Sequence, residues 1–145
     1  AGLTYKETTS LSFASSDEQS FIDFKTAFDV SDNFNVKLNA HIADFGDDGF
    51  VLGESFTSIS AYPQIKSSDK MSWGMRLEYM MIDNAITGDD LNVITPTLTA
   101  RYSVGDLTII PELRLDSASE DIFIDSDGES AGGLTAFNLG AVYTF

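Results

Sequence analysis

Several things are scarce in this sequence of 145 residues, and each scarcity excludes a class of protein or site. Cysteine is absent, so disulfide bonds, thiolate metal sites and a cysteine nucleophile are excluded. No apolar run approaches the roughly 18 residues that a transmembrane helix needs. The single histidine, His41, excludes a multi-histidine metal site and argues against a histidine-based catalytic triad. We therefore expect no cofactor and no resident metal.

Basic residues are also few. Eight Lys and Arg stand against 23 Asp and Glu, which gives a net charge of −15. A phosphate backbone selects for surplus Lys and Arg, so the charge argues against nucleic acid as a partner. It also argues against attachment to an anionic membrane through a basic patch.

The hydrophobic content and the length indicate a chain that folds. Hydrophobic residues make up 43% of the sequence and aromatic residues 12%, which is too much for the usual acidic disordered chain. The length suits one domain, and we predict a single domain over residues 1–145. No secretory signal precedes Ala1, so we expect a mature or trimmed chain.

Apolar and other residues alternate along most of the chain. Between Met71 and Met81 every second residue is apolar, and the intervening set begins with Ser72 and Gly74. A period of two indicates a sheet with one apolar face, whereas a helix would give a period of 3.6. The same alternation runs through 34–42, 107–115 and 137–145. It predicts eight strands, at about 2–14, 20–30, 33–43, 55–66, 70–82, 91–103, 107–116 and 134–145.

The predicted connections alternate in length. Three are tight turns, at 31–33, 67–69 and 105–106, and three are longer polar loops, at 44–54, 83–90 and 117–133. The seventh, at 15–19, falls on the loop side and is the exception, because it is short. We expect Gly105-Asp106 to form a primed hairpin turn that pairs Val104 with Leu107, and a three-residue turn to pair Val30 with Phe34. Short turns at one end and loops at the other are typical of outer-membrane barrels. The fold class predicted is therefore all-β, an antiparallel up-and-down transmembrane β-barrel.

The alternative is a soluble sandwich or barrel whose apolar face points inward. Against it, the other face carries few bulky charges, and aromatic residues cluster near strand ends, as in the interfacial girdles of membrane barrels. Neither fold explains why Pro96 and Pro111 lie in the apolar phase of strands. The girdle residues are Phe28, Phe34, Trp73, Tyr102, Tyr143 and Phe145 toward the turns, and Phe13, Phe45 and Tyr79 toward the loops.

The end of the chain carries a resemblance. Tyr143 and Phe145 close an alternating last strand, which is similar to the terminal signature of bacterial outer-membrane proteins. In that group the strand is read by the barrel-assembly machinery, so the resemblance implies an assembly signal at these two residues.

The second half resembles a particular family. Met75–Tyr79, Pro111–Asp116 and Ala141–Phe145 are similar to the C-terminal part of the OmpL-like β-barrel porins of the porin-2 type, over about residues 60–145. Members of that family are longer, which leaves two alternatives. Eight strands alone would fill their own lumen, whereas further strands of a longer chain would open a channel. The resemblance implies a porin of the Gram-negative outer membrane, passing small hydrophilic solutes passively.

Charged residues in the polar phase would face the lumen. They could act as a mixed-charge selectivity filter, or they could be a paired network that plugs a narrow barrel. Asp23 should lie opposite His41, and Arg101 should lie diagonal to Glu112. The residues that we expect to line the lumen are Lys25, Lys37, Arg76, Glu78, Arg101, Glu112 and Arg114.

No residue pattern indicates catalysis, so we expect no enzyme. Asp125–Glu129 resembles a calcium-binding loop in composition but lacks the twelve-residue spacing of that motif. A solvated acidic loop is the preferred interpretation. The alternative to a porin is a closed structural barrel, or a partner subunit of a larger envelope complex, without transport. The expected partners are outer-membrane lipid and lipopolysaccharide, met through divalent cations by acidic loops, and other envelope proteins.

Overall fold

The computed structural model describes residues 8–15, 19–46, 54–83 and 90–145. Eight long strands and one short hairpin make up this part of the chain. Their bounds are β1 Thr8–Ser15, β2 Ser20–Ser31, β3 Phe34–Asp44, β4 Ser55–Lys66, β5 Met71–Asp83, β6 Leu91–Val104, β7 Leu107–Ala118, β8 Phe123–Ile124, β9 Ser130–Ala131 and β10 Gly133–Tyr143.

The long strands form one antiparallel up-and-down sheet of eight strands, in the order β1-β2-β3-β4-β5-β6-β7-β10. The predicted fold class is confirmed, and the predicted strands agree with the observed ones. Within the described residues β1 pairs only with β2 and β10 only with β7, so the sheet is open. The predicted residues 2–7 of the first strand lie outside the described residues. No helix in the described part of the chain is long and apolar enough to cross a membrane.

The turn at Gly105 is as expected, and the turn at Asp32 is not. Val104 pairs with Leu107, and Gly105 has a φ of +59°, which a primed hairpin turn requires. The three-residue turn pairing Val30 with Phe34 is wrong, because Ser31 pairs with Phe34 and the register shifts between Asp29 and Ser31. A bulge takes up the odd residue there, so the rest of β2 keeps the predicted phase.

The predicted loop 117–133 contains a second hairpin, β8 paired with β9. Asp125 closes it, because its Oδ1 accepts the backbone N–H groups of Asp127 and Glu129, both at 2.9 Å. Gly128 has a φ of +84°, which favours glycine. Two-residue strands are too short for a periodic signal, so alternation could not predict them. The acidic residues of this loop shape a turn.

The two faces of the sheet differ in exposure. The outer face, defined as the apolar phase of each strand, is the more exposed: Phe137 is 68% exposed, and Leu98 and Ile59 are exposed too. The inner face, defined as the other phase, is the less exposed, and Ser60 is only 2% exposed. This order is the reverse of that in a water-soluble barrel and matches a barrel wall in lipid.

Each proline interrupts one neighbouring ladder and spares the other. Pro96 pairs with Leu77 on β5, but the pairing of β6 with β7 is interrupted at Thr95–Pro96. Pro111 pairs with Leu139 on β10, and β6 and β7 are interrupted again at Ala100–Arg101. Proline has no N–H to donate, so one side of its strand must lose a bond. Pro63 pairs with Val36 on β3 and leaves a gap at 62–63 in the pairing of β4 with β5, so the β6–β7 seam holds two of the three proline gaps.

One apolar patch lies on the inner face, at the loop end. Ile82, Leu91 and Val93 are buried there, and Phe56 and Met80 pack on them. Their phase is that of the polar inner residues. The inner face is therefore apolar at the loop end of β4, β5 and β6.

Candidate site on the inner face

The strand registers arrange the inner face in layers across the sheet. Lys37 pairs with Tyr62, and Arg76 pairs with Thr97, which itself pairs with Arg114. The register of β4 and β5 places Tyr62 beside Arg76, so all five residues lie in one layer. We call Lys37, Arg76 and Arg114 the basic layer.

The basic layer draws on alternate strands. Lys37 is on β3, Arg76 on β5 and Arg114 on β7, so consecutive cations are about 10 Å apart, two strand spacings. Tyr62 and Thr97 separate them. The register between strands places these three cations in one layer. The alternation within a single strand could not predict this.

Acidic residues flank the basic layer. Toward the loops, Arg114 Nε and Nη2 both lie 2.9 Å from Asp116 Oδ1. Arg76 Nε lies 3.6 Å from Glu78 Oε2, and Arg76 Nη2 donates to Thr97 Oγ1 at 3.4 Å. Both arginine side chains stay partly exposed, so they remain accessible to a solute.

Asp116 is the functional candidate that the sequence analysis omitted. Its side chain is 0% exposed. Oδ1 accepts Thr95 Oγ1 at 2.7 Å, while Oδ2 is buried and has no hydrogen-bond partner within the described structure. Asp116 is in the same phase as Glu112 and Arg114, which could have identified it as an inner-face residue. The predicted strand ended at Asp116, so the residue was assigned to the strand end and not to the inner face.

A second polar group lies on β2, β3 and β4. Asp23 is opposite His41, as expected, with His41 Nδ1 3.3 Å from Asp23 Oδ2, and Lys25 Nζ lies 2.8 Å from Asp23 Oδ1. The register then places Ser58 opposite His41. Sequence spacing could not predict this Asp-His-Ser row, because its members come from three strands.

The row does not form a catalytic triad. Among the described residues no hydrogen bond joins His41 to Ser58, which a nucleophilic serine would need. The imidazole instead stacks on Phe21, at 6.1 Å between ring centroids, and is tilted against Phe56 at 5.8 Å. His41 is held as a wall residue by Asp23 and two aromatic rings.

The other predicted lumen residues lie in the inner phase. Glu112 accepts a hydrogen bond from Thr99, its partner on β6, at 3.0 Å. The register places Arg101 diagonal to Glu112, as expected, and Arg101 is exposed and forms no ion pair with Glu112 in the described structure. Phe45 is also corrected: it lines an inner pocket with His41 and Ala43, and is not part of an outer girdle.

Acids and bases balance on this wall. Lys66, the last residue of β4, is left aside because it pairs with turn residue Asp69 at 2.8 Å. The remaining inner-face charges of the eight long strands are Asp23, Asp29, Glu78, Glu112 and Asp116 against Lys25, Lys37, Arg76, Arg101 and Arg114. The net charge of −15 therefore resides outside the inner wall.

The proposed assembly residues lie at the open edge. Tyr143 is the last residue of β10 and stacks on Phe145, with ring centroids 6.4 Å apart. Phe145 is otherwise fully exposed. Nothing in the packing of the sheet holds Phe145 in place.

Comparison with known proteins agrees with this geometry. The beta-barrel porin-2, OmpL-like family matches residues 2–145. The match extends beyond residues 60–145, on which the sequence resemblance rested, to β1, β2, β3 and the first residues of β4. No curated protein and no solved structure matches the chain.

Proposed function

The chain belongs to the beta-barrel porin-2, OmpL-like family of outer-membrane β-barrels, and from this premise we propose that it forms the wall of a pore for passive diffusion of small hydrophilic solutes. The observation that carries the proposal is the basic layer with its flanking acids. A water-filled lumen requires partly exposed charges on the inner face of the sheet, while the outer face stays apolar. Lys25, Lys37, Arg76, Glu78, Arg101, Glu112 and Arg114 would line the route.

The placement in the membrane follows from the same features. We propose that the outer face meets lipid, with the short turns on the periplasmic side and the longer connections outside the cell. The acidic connections would meet lipopolysaccharide through divalent cations, and Tyr143 and Phe145 would be read by the barrel-assembly machinery. Catalysis has no part in this proposal, since porin families are generally non-enzymatic.

Planar-bilayer recording tests the proposal. The purified protein should insert and give discrete, stable conductance steps in KCl. The double substitution Arg76→Gln and Arg114→Gln should shift the reversal potential in a KCl gradient toward cation selectivity, because it leaves surplus acids on the wall. Lys66→Gln is the control, since it removes a basic charge at a turn outside the basic layer.

The rival function is a closed structural barrel or a partner subunit without transport. The ion pairs of Arg114 with Asp116 and of Lys25 with Asp23 favour it, because a narrow barrel must pair the charges that fill it. A protein that is folded and inserted but silent in the bilayer would establish the rival and refute the pore.

A further inference from the structure

A pocket of about 410 Å³ opens at the loop end of β1, β2 and β3. Its volume is in the range of small-molecule sites, about 300–1,000 Å³. It lies two layers or more from the basic layer, toward the loops. The pocket is lined by Ala14, Ser15, Gln19, Ser20, Phe21, His41, Ala43, Asp44 and Phe45.

The charge of the pocket has one sign. Among the described residues that line the pocket, Asp44 is the only one with a full charge, and none is Lys or Arg. Asp44 Oδ1 accepts the backbone N–H of Gly46 at 2.9 Å, but no cation pairs with Asp44 in the described structure. The nearest inner-face cation along β2, Lys25, is already 2.8 Å from Asp23. An anion would find no counter-charge here, whereas a cation would.

The rest of the lining suits an organic cation better than a metal ion. Phe21 stacks on His41 and is still 41% exposed, and Phe45 also lines the pocket. Aromatic rings attract cations with apolar groups. A hard metal ion would need several oxygen ligands, and among the described residues no group of three or more His, Asp or Glu could hold one.

We propose that this pocket binds a small organic cation, an alkylated ammonium group, with Asp44 as the counter-charge and Phe21 and Phe45 against its methyl groups. The His41 ring supplies a polar contact in the inner phase with Phe21, whereas Ser20 and Asp44 pair with each other in the outer phase, at the ends of β2 and β3. The site is separate from the basic layer, and its binding does not require conduction. The surplus acidity of the chain would raise the local concentration of such cations.

Isothermal titration of the folded protein in a non-ionic maltoside detergent tests the site, with choline as the probe. The comparison ligand is 3,3-dimethylbutan-1-ol, which replaces the ammonium nitrogen by carbon and keeps the shape. Choline should bind about tenfold or more tightly than this neutral isostere. Asp44→Asn should weaken choline binding about tenfold, and Phe21→Leu about threefold to tenfold.

Two matched controls keep the test specific. Asp106→Asn removes an acid at the opposite end of the sheet, and Phe137→Leu alters an aromatic residue of the outer face, so both should bind choline as the parent does. Far-UV circular dichroism of each variant checks that it is folded. Equal binding of choline and its isostere, tighter binding of glucose than of choline, or unchanged binding in Asp44→Asn would each overturn the proposal. A protein that binds choline but does not conduct would refute the pore and leave this site standing.

Discussion

At the scale of single residues, Asp116 is the most consequential side chain on the inner face. It is a fully covered carboxylate that joins Thr95 on β6 to Arg114 on β7. The bond from Thr95 crosses the seam beside Pro96, where backbone pairing is interrupted, and Arg114 holds the Asp116 carboxylate from the same strand. A side-chain hydrogen bond therefore replaces some of the cohesion that the backbone loses there.

Replacing Asp116 by alanine should lower the free energy of unfolding by roughly 3 kcal/mol, because it leaves the Arg114 guanidinium and the Thr95 hydroxyl without their partner. The measurement is urea unfolding of the barrel from lipid vesicles, followed by tryptophan fluorescence. Asp127→Ala, at an exposed turn, should change the same free energy by less than about 0.5 kcal/mol. Equal effects of the two substitutions would contradict a bridging role for Asp116.

The turn between β4 and β5 holds a titratable pair outside the strands. The hydrogen bond from Lys66 and its positive charge lower the pKa of Asp69 below its ordinary value of 3.8. A lowered pKa means that the pair adds stability above that ordinary value, and this stability is lost as the pH falls through the lowered pKa. Lys66→Met should therefore return the Asp69 pKa toward 3.8 in an NMR titration. Lys70→Met should leave the Asp69 pKa unchanged. If both substitutions raise this pKa, the cause is the summed positive charge nearby and not the bond from Lys66.

At the scale of elements, alternation predicted the long strands because each has one apolar face of period two. It could not predict what depends on neighbours. The bulge at Val30 and the basic layer arise from register between strands, and the β8–β9 hairpin is too short for any period. The apolar patch around Ile82 lies in the same phase as the polar inner residues. Alternation along one strand therefore could not predict that these residues pack together.

The assignment of the two faces can be tested on one strand. Phe137 and Asn138 are neighbours on β10, on the outer and inner faces respectively. Phe137→Arg should lower the free energy of unfolding from lipid by about 2–4 kcal/mol, because a charge on the lipid face is poorly solvated. Asn138→Arg should be tolerated, since that side chain faces the lumen. The opposite order, measured by urea unfolding from vesicles, would reverse the faces.

At the scale of the whole molecule, charge is distributed by location. The inner wall balances its acids and bases, and the surplus acids lie in connections and at strand ends, among them Asp90, Glu120 and Asp121. Every described basic residue lies on a strand or in a short turn. This asymmetry follows from the sequence once the loops and turns are placed, because it needs no knowledge of the register between strands.

Assembly of the whole barrel should depend on Phe145 more than stability does. Phe145 contacts Tyr143 and is otherwise exposed, so its removal should change the free energy of unfolding of refolded protein by less than about 1 kcal/mol. The same variant should reach the outer membrane in much lower yield in cells, measured by membrane fractionation. Thr144→Ala is the control for yield. A normal yield without Phe145 would remove its role as an assembly signal.

The two interruptions in the β6–β7 seam also bear on how the sheet comes apart under force. Strands pulled from one another separate first where the fewest backbone hydrogen bonds join them per unit length, and Pro96 and Pro111 place two such gaps along one pair. Single-molecule pulling on the C-terminus should therefore extract β7 and β10 together, as one hairpin, ahead of β6. The prolines would then set the size of the first mechanical step.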